Sequence, residues 1–166
     1  MANLSLTRVN QKLMQAKHLL QVVDADSLMP VHLNALLEGA AFHLICAYQH
    51  YLREIAETYG LKNAVALRSE DDLMGAFEAA KRYPAEAEEL VALRKDAKSW
   101  LVQLQNYYDS LWRLPVVKDA RDSDNLINLV NMDSADAAEV DLGAAQGWQR
   151  DFMALVLRQR ETSAEF

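Results

Sequence analysis

Apolar residues recur along most of the chain at alternating steps of three and four, the spacing that keeps side chains on one stripe of an α-helix. Leu6, Val9, Leu13, Ala16, Leu20 and Val23 open this pattern and predict a first helix over 5–24. Asp26 or Ser27 offers a cap, Pro30 suits a first helical turn, and Gly60 follows the last periodic residue, so a second helix is expected over 28–59. Its stripe of Leu33, Leu37, Ala40, Leu44, Ala47, Tyr51 and Ile55 is widened by Leu36, Ile45, Tyr48 and Leu52. A helix apolar over so broad an arc belongs at the centre of a fold.

Ser69 and Asp72 have capping-box spacing, with aspartate in place of the preferred Glu or Gln, ahead of a short third helix over 70–82 that carries Leu73, Phe77 and Ala80. Pro84 suits a helix start, and Glu86, Glu88 and Glu89 place negative charge near the positive end of the helix dipole. The stripe that follows, Leu90, Leu93, Ala97, Trp100, Leu104, Tyr107, Leu111 and Leu114, reads as one uninterrupted helix over 85–113, ended by Pro115. Regular periodicity then fails until a last helix over 144–161, marked by Trp148, Phe152, Leu155 and Val156. No segment alternates with the two-residue period of a strand. The expected fold is all-α: one helical-bundle domain of about five helices, two of them long, with a long acidic connection before the last helix.

Composition narrows the function classes. A chain of 166 residues, 51% hydrophobic and 25% charged, is an ordinary globular domain able to bury a core without staples. Its longest nearly apolar stretch, Gly39 to Tyr48, is about half of the ~20 residues that span a bilayer, so no membrane segment is expected. The first residues show no basic region followed by an apolar run and a cleavage site, which makes the cytoplasm the expected location. The single cysteine, Cys46, has no intrachain partner for a disulfide and lies in an apolar helical run.

A net charge of -7 argues against a sequence-independent grip on nucleic acid, which needs Lys and Arg on the phosphates. Nearly all of that charge is local. Between Asp119 and Asp141 stand Asp119, Asp122, Asp124, Asp133, Asp136, Glu139 and Asp141 against Arg121 alone. A connection this long is seldom inert, and its acids offer a dock for a basic partner or a plain solvated loop. It is not a calcium loop: counted from Asp122, position five is Leu126, position six is Ile127 instead of glycine, and no bidentate glutamate follows at the right spacing. Within it Asn125, Asn128 and Asn131 recur every third residue, lining amides on one side of a short segment and Ile127 and Val130 on the other.

His43, Cys46 and His50 project from one side of the second helix, with Glu54 and Glu57 continuing that side. These residue types bind zinc, and the three are the candidate metal ligands of the chain. The competing expectation is packing, because neither an HExxH nor a pair of ExxH motifs accompanies them. Cys46 and His50 also stand one turn apart, the proximity of a thiol and its base, but nothing else around them completes a catalytic set. No glycine-rich phosphate loop is present. No catalytic residue and no cofactor is expected. Trp112, off the stripe of the fourth helix, and Tyr48, Tyr59 and Tyr108, near stripe edges, are either core rim or anchors of an interface.

Five short motifs carry a resemblance: Thr7-Arg8-Val9-Asn10-Gln11-Lys12-Leu13, Phe42-His43-Leu44 leading to Glu54-Ile55-Ala56, Ser99-Trp100-Leu101, Leu126-Ile127, and the stretch from Trp148 to Arg160. Together they resemble a family of small all-helical proteobacterial proteins known as a domain of unknown function. That resemblance implies a helical bundle and brings no reaction, ligand or catalytic residue. Helical nucleases of the HEPN type have a similar size and helix content, but their Arg-x4-6-His motif is missing here. The leading expectation is a non-enzymatic interaction or regulatory module that binds a protein partner or itself, with no nucleic acid and no membrane. The alternative is a metal-dependent or small-molecule-binding enzyme with its site on the second helix near His43 and His50.

Overall fold

The computed structural model describes residues 4–21, 25–114 and 140–163. Among them are six α-helices: α1 (Leu4–Leu19), α2 (Pro30–Thr58), α3 (Glu70–Ala79), α4 (Ala85–Lys95), α5 (Trp100–Ser110) and α6 (Leu142–Ser163). Two single turns of 3-10 helix, Ala25–Ser27 and Ala64–Ala66, sit in connections, and no strand occurs among the described residues. The fold is an all-α bundle. None of these helices is long and apolar enough to cross a membrane.

The broad apolar arc of α2 does place it at the centre, where it packs against α1, α3, α5 and α6. Its most extensive contact is with α1. Ser5 meets Glu57, Lys12 meets His43 and Leu19 meets Gly39, so the two helices run antiparallel. A Cβ at Gly39 would stand 3.2 Å from Leu19 Cδ1, tighter than ordinary van der Waals contact, and glycine there admits the close approach. Of the predicted first stripe the bundle buries Val9, Leu13 and Ala16 of α1 and Leu20 just after it, while Leu6 is half-buried and Val23 lies outside the described residues. In the middle, Phe152 of α6 stacks on Trp100 at 5.0 Å and meets Tyr48 and Tyr51 edge-on at 5.9 and 6.0 Å. Edge-to-face and offset geometries suit the ring quadrupoles, so this cluster fixes the relative rotation of α2, α5 and α6.

Helix ends follow from local chemistry. Pro30 occupies the first turn of α2, and at the other end Gly60, with φ +67°, lets its own amide reach the Glu57 carbonyl and that of Leu61 reach Ala56. This paired closure satisfies carbonyls that the helix leaves orphaned. The Ser69–Asp72 capping box forms as its spacing predicts. The same closure ends α3 three residues before the expected Arg82, because Lys81 adopts a left-handed φ of +54°.

The expected fourth helix over 85–113 is corrected to two, α4 and α5, which raises the count from five to six. Asp96 leaves helical geometry at ψ 106°, its Oδ1 accepts from the Lys98 amide, and Ser99 Oγ accepts from the Val102 amide while donating to the Leu93 carbonyl. Short polar side chains here offer the backbone an alternative to the helical ladder, and the apolar period does not register that competition. Among the described residues the long helices are therefore α2 and the 22-residue α6, in place of the second and fourth expected. The acidic connection up to residue 139, with Asp122, Asp124 and the asparagines Asn125, Asn128 and Asn131, lies outside the described residues, as does Asp24 at the expected end of the first helix; the connection's last acid, Asp141, accepts from the Ala144 amide at the start of α6.

Candidate functional site

At one end of the bundle the C-termini of α2 and α6 meet the N-termini of α1 and α4. Tyr51, Glu54, Ile55 and Thr58 share one face of α2 by helical spacing, and they form one wall of a half-open cleft of about 250 Å³. Leu6 of α1 adds an apolar wall, Glu86 comes from the first turn of α4, and Gln159, Arg160 and Ser163 come from the last turns of α6. Glu86 and Arg160 thereby sit at the helix ends whose partial charges favour an anion and a cation respectively.

Hydrogen bonds tie these groups together. Glu54, only 3% exposed, takes both arms of a fork from Arg160, with Nε at 2.6 Å and Nη2 at 2.9 Å, and the remaining Nη1 donates to Asn10 Oδ1 at 2.8 Å. The planar guanidinium matches the carboxylate, which makes this a strong form of ion pair. Tyr51 donates to Gln159 Oε1 at 2.7 Å, and Gln159 donates in turn to Glu89 Oε2 at 2.7 Å. Burial, with Glu54 beside it, drives the Tyr51 phenol upward and keeps it neutral. Glu86, 6% exposed, accepts from Tyr59 at 3.0 Å on one oxygen and from Ser163 at 2.8 Å on the other. Burial and that bond to Glu86 raise the Tyr59 phenol as well. On the rim, hydrogen bonds from Arg158 hold Glu89 below the usual carboxylate range.

The sequence-predicted face of α2 is elsewhere. His43, Cys46 and His50 look onto α1, where Lys12 Nζ lies 3.4 Å from His43 Nδ1 and 5.9 Å from the centre of the Phe42 ring. An ammonium has only donors, so this contact assigns the Nδ1 lone pair of His43 to Lys12 and the ring proton to Nε2. Burial, then Lys12, lowers the His43 pKa; burial, Arg8 and Lys12 lower that of His50 against an opposing Glu57; burial raises the Cys46 thiol. Of the two glutamates expected to continue this face, Glu57 accepts from Ser5 at 2.8 Å while Glu54 turns to Arg160. Among the described residues no group of three His, Cys, Asp or Glu side chains gathers as metal ligands do.

The four flagged aromatics also separate. Tyr48 is core, donating to Glu70 Oε1 at 2.7 Å; Tyr59 belongs to the cleft; Tyr108 and Trp112 form an edge-on pair at the end of α5, where Trp112 is 76% exposed. Gln159, Arg160 and Ser163 were not singled out from the sequence and Glu86 was read only as charge at a helix start, because nothing local distinguishes them from surface polar residues of an amphipathic helix. The weak available signal was Glu54, a carboxylate falling beside the apolar stripe of a helix expected to be central.

Fold and cleft together define a small all-helical protein with a polar-floored cavity at one end of the bundle and, among the described residues, no histidine, cysteine or lysine lining it. The chain belongs to the family of unknown function DUF6586, whose pattern it matches over residues 1–166. No curated protein and no solved structure matches it.

Proposed function

We propose that the protein is a non-enzymatic binding and regulatory module of the bacterial cytoplasm whose ligand is a small molecule held in the cleft between α1, α2, α4 and α6. The observation that carries this reading is the convergence of the buried Glu54–Arg160 pair, Glu86 and the hydroxyls of Tyr59 and Ser163 on one cavity of about 250 Å³. Concave sites with apolar walls and a few convergent polar groups are where small ligands bind. A water molecule's share of the liquid is roughly 30 Å³, so the space suits a molecule of roughly eight non-hydrogen atoms. Among the described residues the cleft pairs no nucleophile with a histidine or lysine base, which favours binding over turnover. The cytoplasmic assignment rests on the single cysteine and the unremarkable globular composition.

The test is a ligand-observed NMR screen of fragments of that size against the full chain, repeated with Thr58→Trp. Thr58 is an exposed residue on the cleft wall, so the indole blocks the cavity at little cost to the core. Fragments that bind the parent protein and lose binding in the variant support the reading. Hits unaffected by the tryptophan, or no hits, overturn it.

A second reading, an interface for a protein partner or a second copy, is favoured by the exposed Leu111, Trp112 and Leu114 at the end of α5. Tryptophan is a common anchor of binding energy, and Trp112→Ser then weakens association by about tenfold or more. Sedimentation and co-purification with the variant test it; unchanged association overturns it.

A further inference from the structure

We infer that the cleft takes a small monocation, an ammonium or guanidinium head on an apolar stem, with Glu86 as its counter-ion. This rests on the cleft being the binding site. Two carboxylates and one guanidinium line the cavity, and the three are not equivalent. Arg160 turns Nε and Nη2 to Glu54 and Nη1 to Asn10, so the two opposite charges balance each other and the pair as a whole brings no net charge to a ligand. Glu86 has only neutral donors, the hydroxyls of Tyr59 and Ser163, and among the described residues it makes no ion pair.

A carboxylate offers about four acceptor sites on its two oxygens, and one hydroxyl on each leaves room for a further donor. With Glu54 neutralised, the cleft's remaining charge is that of Glu86. An anion meets repulsion from Glu86 and, among the described residues of the lining, no cation other than the paired Arg160. A neutral alcohol gains one ordinary hydrogen bond, whereas an ammonium gains a charge-assisted one at a carboxylate that is itself buried. Leu6 and Ile55 supply the wall against which an apolar stem lies.

Hexylamine, hexanol and hexanoate share one apolar body and differ in head group, and calorimetry at neutral pH compares them on the intact protein. Hexylammonium is expected to bind about tenfold more tightly than hexanol, the difference between a charge-assisted and a neutral hydrogen bond, with hexanoate weakest. In Glu86→Gln the preference for the ammonium disappears while hexanol binding persists. Hexanol or hexanoate binding as tightly as hexylammonium to the parent protein overturns the inference and leaves the cleft standing as a site. Binding of none of the three overturns it too, and the fragment screen with Thr58→Trp then decides the cleft separately. The three-probe comparison needs no variant, so it stands even if Glu86→Gln does not fold.

Discussion

Two faces of α2 carry polar side chains into the bundle, and they are supplied from different distances. Tyr51 and Glu54 find their partners 108 and 106 residues away, on α6. His43 and His50 meet the nearer α1, whose Lys12 and Arg8 present charge of the same sign that a metal would bring. The first face is a network in which each buried polar group answers another; the second is a set of half-buried side chains beside cations. Chemical interest read from residue type and spacing points to the second face, while the convergence that builds a cavity occurs on the first.

The largest expected effect falls on the first face. Removing one member of a buried ion pair strands the other, so Arg160→Ala is expected to cost about 3–5 kcal/mol in urea unfolding. The double replacement Glu54→Gln with Arg160→Met removes both charges and is expected to recover most of that loss; equal losses in the two proteins would show that packing, not the stranded charge, dominates. Tyr51→Phe comes next. It deprives Gln159 of its buried donor and should cost about 1–3 kcal/mol, read from the same unfolding curves.

Ser99→Ala tests a polar group acting at short range instead of across the bundle. Loss of an N-cap is expected to cost about 1 kcal/mol, and amide hydrogen exchange should rise first at Trp100 to Val102.

The smallest effect belongs to the histidine face. His43 and His50 have folded pKa values below the ordinary 6.5, so the unfolded chain takes up protons first as pH falls. Their contribution is full above 6.5 and is lost as pH drops through their folded values. Lys12→Met removes the lesser of the two causes at His43, burial being the larger, so its NMR-titrated pKa rises part of the way toward 6.5. A pKa that does not move would separate Lys12 from His43 and dissolve the contrast between the faces.

Most of the fold was legible because apolar period and capping chemistry are local. The stripes of α1 and α2, the Gly60 closure and the Ser69 box all act within a few residues of where they are read. The α4–α5 break was missed because Leu90 through Tyr107 keep their spacing across it, while the deciding groups, Asp96 and Ser99, are short side chains that any helix surface tolerates. Of the cleft, only Glu54 and Tyr59 drew notice in the sequence, and neither pointed to a cavity. Glu54, Glu86 and Arg160 each look like ordinary residues of separate helices, and only the packing of the end of α6 against α2 and the first turn of α4 makes them neighbours.

The most direct test of the cleft as the functional site is a two-dimensional amide NMR spectrum of the labelled protein titrated with a bound fragment. Shifts confined to Tyr51 through Tyr59, Glu86 and Gln159 through Ser163 are the predicted result. Shifts centred on His43, Cys46 and His50, with the cleft amides unmoved, would contradict it.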